Sequence, residues 1–369
     1  MTAAVTSIKY GYEYERRLRG GLVGCGGTAF TAIGPVLQYT PVDLVATCDP
    51  QIERARGVAR QFGASGVYTD YAEMFRREQL DVVFIVISYP AGIPRYPEIA
   101  TAAMEAGIHV WMEKPPGHTV AEVERLIQTR DRTGTMCFVA MSKLFLPTVE
   151  KMKELSERPD FGPIGTAAAT YPINLPPIEE RRGNPAAMRN FLDHIWHPGG
   201  ILHYLGGPAA SITYERSEDP SGTGGGATIV EFKSGAVGVM YHAWGRPSGA
   251  HVEVERYELV GVNNKVVVRN SNELIWYRGY PRESVPYPLV WNFIEGDDSA
   301  ALVWKPEMSR SAAYNNSLFL NGNGQKVVYF AECLLNGTPP AKSTLEDALE
   351  IMKWYEAHYE APGRPVRIG

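Results

Sequence analysis

The sequence predicts an α/β protein of two domains, a doubly wound parallel sheet over residues 1–146 followed by an α/β domain over 147–369 with an open, mostly antiparallel sheet. Three observations carry that expectation. The 369-residue chain is longer than one hydrophobic core usually serves. Apolar β-type runs and helical patterns alternate as far as residue 146, as a parallel sheet with helices on both faces requires. From about residue 165 strand patterns follow one another through turn residues instead.

Residues 1–17 read as an extension. The stretch 18–24 is a short apolar strand that runs into a glycine cluster, after which TAFTAIGPVLQ has the spacing of an amphipathic helix. The strand 42–49 closes the first βαβ unit, and the helix 53–63 is stopped by Gly63. The nearly continuous Val/Ile run 81–88 is a strand covered on both faces. A helix over 97–107, a strand over 108–113, the helix VAEVERLIQTRDRTG and a strand over 135–141 complete the first domain. In the second, GTAAATYPI, GATIVEFKSGAVGVMYHAW, VEVERYELVG and NKVVVRN are strands. Two late helices, SLFLNGNGQKVVYFAECLLNG and TLEDALEIMKWYEAHYE, are expected to cover one face of that sheet.

Composition excludes several functions. A net charge of −5 and the lack of any basic run argue against nucleic acid as a partner. No apolar run is long enough for a bilayer or a signal peptide, so the expectation is a soluble cytoplasmic protein. Cys25, Cys48, Cys137 and Cys333 form no C-x-x-C pair and read as buried free thiols. His194, His197 and His203 are close in sequence, but no second ligand cluster accompanies them, so no metal is expected.

The turn after the first strand is Gly24-Cys25-Gly26-Gly27-Thr28-Ala29, a G-x-G-x-x-A dinucleotide fingerprint. Gly24 permits the tight turn, Gly26 lets a pyrophosphate approach the backbone, and Ala29 allows close helix–strand packing. A helix N-terminus then presents free N–H groups to the phosphates. Asp49, ending the second strand, is placed to bond ribose hydroxyls, which points to NAD. Arg54 and Arg56 nearby leave NADP open.

The strand 108–113 leads into Glu113-Lys114-Pro115 within AGIHVWMEKP. Here the chain resembles the glucose-fructose oxidoreductase, inositol dehydrogenase and rhizopine-catabolism family (Gfo/Idh/MocA), from about residue 19 to the C-terminus and more strongly in the first domain. TDYAEMF at 69–75 resembles the family's helix before its central strand. Ser88-Tyr89-Pro90 stands where the family usually has Thr-Pro, and Tyr96 where it commonly has His. The resemblance implies that these residues, with Glu113, Lys114 and Pro115, border the cofactor, and that Lys143 in MSKLF touches substrate. A lysine at the carboxyl edge of a parallel sheet can hold a hydroxyl and stabilise alkoxide character. His109, inside the strand, reads as a packed histidine.

Asp193 and His197 have the D-x-x-x-H spacing that resembles the family's catalytic pair. Pro198 favours a helix starting at 198, with both residues in the turn leading into it. Oxidising an alcohol needs a base for the hydroxyl proton, a role for His197, with Asp193 orienting the ring or a neighbouring hydroxyl. His194 is expected to touch substrate. Tyr171, Asn174 and Arg182, in the segment 171–190, are sugar-binding candidates that ordinary loop chemistry explains equally well. The stretch 280–317 reads as a lid or an oligomer contact.

The resemblance implies an NAD(P)-dependent dehydrogenase acting on a secondary hydroxyl of a sugar, glycoside or cyclitol, assembled as a homodimer or homotetramer. Two rivals stand beside it. One is a glycosidase or lyase that retains NAD and oxidises the sugar transiently. The other is a non-catalytic regulator that senses sugar through the dinucleotide.

Overall fold

The computed structural model describes residues 13–89, 92–218, 225–243, 253–262, 264–278, 301–306, 318 and 320–369. Pro90 and most of the stretch 280–317 lie outside the described residues, as does the extension up to residue 12.

Six strands form the first sheet: β1 (Leu18–Val23), β2 (Val42–Cys48), β3 (Gly66–Tyr68), β4 (Val82–Ile85), β5 (His109–Glu113) and β6 (Cys137–Ala140). All neighbours are parallel, in the order β3-β2-β1-β4-β5-β6. This is the Rossmann order. It reverses direction between β1 and β4, and ligands of open α/β sheets collect beyond the carboxyl ends of the strands at that point.

The helices between these strands are α1 (Gly34–Leu37), α2 (Ile52–Phe62), α3 (Tyr71–Arg77), α4 (Tyr96–Glu105) and α5 (Val120–Thr133). Local chemistry fixes their ends. Gly63 and Gly134 adopt the left-handed conformation beyond α2 and α5. Asp70 accepts the Ala72 N–H to cap α3, and Thr119 accepts the Glu122 N–H to cap α5. The helix expected after the glycine turn differs from its sequence pattern. Ala29–Ile33 is a π-helical turn, and a regular α-helix runs only from Gly34 to Leu37. Pro35, which lacks an N–H and crowds the preceding turn, sits where a regular helix would need its interior.

The second domain opens with α6 (Pro147–Ser156) and β7 (Thr166–Tyr171), then α7 (Ile178–Arg181), α8 (Arg189–His194) and α9 (Pro198–Gly206). Next come β8 (Ala209–Arg216), β9 (Gly226–Phe232), β10 (Val237–His242), β11 (Arg256–Val260), β12 (Asn264–Arg269), β13 (Glu273–Arg278) and β14 (Ala301–Trp304). The chain ends with α10 (Asn323–Asn336), α11 (Leu345–Ala357) and β15 (Val366–Arg367). The nine-stranded sheet runs β14-β13-β12-β11-β7-β10-β9-β8-β15 and is antiparallel except where β10 pairs with β7.

The two late helices do not simply cover that sheet. α11 packs chiefly on α5 and also touches β6, while α10 packs on the 3₁₀ turn Ser142–Phe145 and on α1. α10 is therefore buried chiefly against the first domain, whose last strand also donates the Val139 N–H to the Ser343 carbonyl at 2.9 Å, while α11 lies between the domains and packs on α9 and β8 as well. A mutual capping box between Thr344 and Asp347 starts α11 there. One continuous core results, and the boundary near residue 146 is crossed by the C-terminal helices.

Candidate active site at the carboxyl edge of the parallel sheet

The glycine turn has the geometry its sequence requires. Gly24 has φ +90°, and a Cβ there would stand 2.1 Å from the Val86 carbonyl oxygen. At Gly26 and Gly27 an added Cβ would meet no atom within 4 Å among the described residues, so the loop faces open space. Asp49, 7% exposed, ties the turn to the end of β2: its two oxygens accept the Cys25 N–H at 2.9 Å and the Gln51 N–H at 2.8 Å. The carboxylate thus shapes the loop from which the sequence assigned it a ribose contact. The residue also lines the same cleft.

A cleft of about 690 Å³ runs from this turn along the edge of β1 and β4. Gly24, Gly26, Gly27, Thr28 and Asp49 line one end, and Glu113, Lys114 and Asp193 the other. Ser88, Tyr89 and Tyr96 line the middle. The fit to a dinucleotide rests on these features: an open backbone cradle, a small-residue turn, and a carboxylate at the second strand end. Ala29 and Cys25 are buried beneath the turn, and Pro115 follows Lys114 through a cis peptide bond. Tyr96, 1% exposed, donates its hydroxyl to the Ile87 carbonyl at 2.9 Å and accepts the Ile87 N–H at 3.1 Å. It thereby clamps the strand end behind the cleft.

At the far end the two domains meet through charge. The Lys114 ammonium donates to Asp193 Oδ1 at 2.7 Å and to the Asp193 carbonyl at 2.9 Å. The Tyr89 hydroxyl donates to the same carboxylate oxygen at 2.5 Å. Burial pushes the Asp193 carboxyl upward, but the charge and hydrogen bond of Lys114, with the Tyr89 hydrogen bond, outweigh it and hold the group below its ordinary value. Asp193 stands in the last turn of α8 rather than in the connecting turn. His197 caps α9, whose first residue is Pro198, as its sequence indicated.

The His197 ring packs 5.1 Å from Tyr171 and 6.3 Å from His194, centroid to centroid. Its Nδ1 is buried without a partner among the described residues. Burial pushes the imidazole well below its usual pKa, and the electrostatic influence of Lys114, Lys143, His194 and Lys326 pushes it further. It is therefore a neutral ring at physiological pH. His194 Nδ1 contacts the Asn190 carbonyl at 2.8 Å, which leaves the opposite edge of the ring free of that contact.

Lys143 binds Glu255 at 2.7 Å and Ser271 at 2.9 Å, below Tyr171. The structure thus gives Lys143 a buried partner that its sequence context did not reveal. Asn174 is held by its backbone N–H on the Asn190 side chain. Arg182 is exposed at the end of α7, and it does not line the cleft, nor do Lys143, Tyr171, Asn174, His194 or His197. The 2.9 Å bond from the Met136 N–H to His109 Nδ1 shows a packed histidine. All four cysteines are free and buried. Among the described residues no group of three or more His, Cys, Asp or Glu is placed to hold a metal ion, and no helix is long and apolar enough to cross a membrane.

Lys326 and Arg189 are among the cleft residues that sequence reasoning missed. Lys326, on α10, binds Glu113 at 2.7 Å and Ser142 at 2.8 Å. Arg189 lies 5.9 Å from the Tyr89 ring centroid. Lys326 sits in an apolar helix more than 200 residues from its partner, and only its charge amid VVYFAECLL would have marked it.

Comparison with known proteins bears on the family and the fold. Residues 18–141 match the model of the Gfo/Idh/MocA oxidoreductase family, NAD-binding Rossmann fold. The chain is 27% identical over 150 residues to a D-apiose dehydrogenase of Paraburkholderia graminis, a match covering 41% of this chain and 37% of that protein. It is 23% identical over 271 residues to a myo-inositol 2-dehydrogenase of Thermotoga maritima, covering 69% and 76% respectively. The chain thus spans well under half the length of the first relative and about three quarters of the second. Among solved structures, a dehydrogenase from Chromobacterium violaceum superposes with TM-score 0.74 at 19% identity, over 93% of this chain and 94% of that one. An aldose-aldose oxidoreductase from Caulobacter crescentus does so with TM-score 0.73 at 20% identity, over 96% and 100%. These likenesses show that the two-domain fold is shared.

Proposed function

Since residues 18–141 match the model of the Gfo/Idh/MocA oxidoreductase family, we propose that this chain is an NAD(P)-dependent dehydrogenase acting on a secondary hydroxyl of a sugar, glycoside or cyclitol. The observation that carries the reading is the 2.7 Å bond between Lys114 of the nucleotide-binding domain and Asp193 of the other domain, in the same cleft as the open glycine turn.

When bound, the dinucleotide supplies the hydride acceptor. The chain's own residues do the rest. The turn at Gly24, Gly26 and Gly27 receives the pyrophosphate on backbone N–H groups, and Asp49 receives the ribose hydroxyls. Lys114, aligned by Asp193 and Tyr89, donates to the substrate oxygen and stabilises the alkoxide that develops as the hydride leaves. His197, neutral for the reasons above, accepts the hydroxyl proton. Asp193 stays ionised and takes the positive charge of Lys114 as its counterpart. Tyr171 and His194 flank His197 and present ring and nitrogen to neighbouring hydroxyls, the usual means of recognising a polyol.

The direct test incubates purified protein with NAD or NADP and a panel of sugars, glycosides and cyclitols. Reduced nicotinamide supports the reading. Release of an aglycone without net reduction would instead identify the cofactor-retaining glycosidase, and binding without turnover the sensor.

The proposal extends to a homo-oligomer. Strand register places Ile229, Val237, Tyr241, Tyr277 and Val303 on one face of the nine-stranded sheet, each at least 39% exposed. The same face carries an ion-paired strip of Arg256, Glu258, Lys265, Arg269 and Glu273, and a second copy of the chain would cover this mixed apolar and charged surface. Sedimentation of wild type against Tyr241→Glu tests this: an unchanged mass refutes it.

A further inference from the structure

We propose that Lys326, on the C-terminal helix α10, is a positioning residue of the reaction: by occupying Glu113 it leaves the adjacent Lys114 free to hold Asp193. The inference rests on the dehydrogenase reading above and adds to it a residue outside the Lys114, Asp193 and His197 set.

Glu113 and Lys114 are consecutive at the carboxyl end of β5, and each forms an ion pair with a different element of the second domain. Glu113 meets Lys326 at 2.7 Å, whereas Lys114 crosses to Asp193 at 2.7 Å. Lys326 is 1% exposed, with its ammonium 5.0 Å from the Trp111 ring centroid and a second bond to Ser142. Its burial pushes the ammonium toward neutrality, and Glu113 opposes that. Such a cation persists only because a carboxylate faces it.

The converse decides the role. The Glu113 side chain is 12% exposed, so without Lys326 it would be a buried carboxylate with a lysine as its sequence neighbour. The nearest compensation is Lys114, which would have to leave Asp193. The geometry also explains why residue 114 does not simply pair with residue 113, as a surface lysine would. Two crossed ion pairs from one strand end keep two cations apart and both domains in register.

The test compares wild type with Lys326→Met, which matches the length and removes the charge, and Lys326→Arg, which restores it. The first readout is kcat and KM on a substrate found in the panel. The second is the titration of His197 in the apoprotein, followed by NMR of ring-labelled histidine and assigned with a His197→Asn variant. His197 faces Lys114, Lys143, His194 and Lys326, with Asp193 on the adjoining helix, so removal of one cation and displacement of another moves its titration upward. Lys326→Met is expected to lower kcat about 100-fold with a smaller change in KM, as a misplaced catalytic group does, and to raise the His197 midpoint. Lys326→Arg should recover most of both. A methionine variant with wild-type kcat and an unmoved His197 overturns the proposal, since space-filling alone would then suffice. So does a wild-type His197 midpoint if no variant turns over any substrate. That second outcome separates failure of the positioning claim from failure of the dehydrogenase reading, because the apoprotein titration needs no turnover. Should Lys326→Met not fold, Lys326→Gln, also uncharged and able to keep a bond to Ser142, takes its place. A kcat about 100-fold down with a raised His197 midpoint supports the proposal there, and wild-type values of both overturn it.

Discussion

Replacing Lys114 by methionine tests the reaction most sharply. The substitution keeps the length of the side chain and removes two bonds to Asp193, at 2.7 and 2.9 Å, from a lysine whose side chain is 15% exposed. Hydrogen bonds to charged groups contribute roughly 1.5–3 kcal/mol each, but the Asp193 side chain is 37% exposed and keeps the Tyr89 hydroxyl. Solvent screening therefore limits the stability loss to about 1–2 kcal/mol. The kinetic loss is larger, because the same ammonium is absent where alkoxide charge develops. One such donor is worth about 10²–10³ in kcat, or roughly 3–4 kcal/mol of barrier. The assay is nicotinamide absorbance under saturating cofactor, with cofactor affinity measured separately by fluorescence. The expected result is a fall in kcat with cofactor affinity within a few-fold of wild type. A fall in cofactor affinity at constant kcat would refute the assignment. The pH dependence adds a second check. Asp193 is held below its ordinary 3.8 in the folded protein, so it contributes stability above that pH and loses it as pH falls through the folded value. Without Lys114 that contribution shrinks, and the stability gap between variant and wild type should close on acidification.

Three further outcomes follow from the geometry. Gly24→Ala places a Cβ 2.1 Å from a backbone oxygen at φ +90° and should destabilise by more than ~2 kcal/mol, measured by denaturant titration. At Gly26 an added Cβ meets no atom within 4 Å among the described residues, so in Gly26→Ala apoprotein stability should hold within ~0.5 kcal/mol while calorimetry records at least about tenfold weaker cofactor binding. The 3.1 Å pair between His203 and Asp347 opposes burial at both members, raising the histidine pKa and lowering that of the aspartate. Its histidine part is fully present below 6.5 and lost as pH rises through the raised value, and its aspartate part is lost as pH falls through the lowered one. His203→Gln should consequently cost most at mildly acidic pH and least in alkali, as thermal melts across that range would show.

Much of the first domain was legible because its signals are local. The Val/Ile runs of β2 and β4, the glycine turn and the capping residues each act within a few positions of themselves. The departure at Ala29–Ile33 came from a proline whose effect on the helix register is weighed against packing on Phe62, where a Cβ on Gly34 would stand 2.3 Å from the ring. Lys114 and Asp193 were legible as residues but not as partners. Nothing in either segment says that Lys114 would pass over its neighbour Glu113, 79 residues short of its actual partner.

By itself, then, the sequence determined the alternation of elements, the conformational demands at Gly24, and the residue types able to bind phosphate and move a proton. Those follow from backbone sterics and hydropathy period, which act over one or two turns. Only the tertiary structure decided the pairing of charges: Glu113 with Lys326, Lys114 with Asp193, and Lys143 with Glu255. The physical reason is desolvation. A buried charge accepts whichever opposite charge the packing of distant helices brings within about 3 Å, and that choice is made by the assembled core.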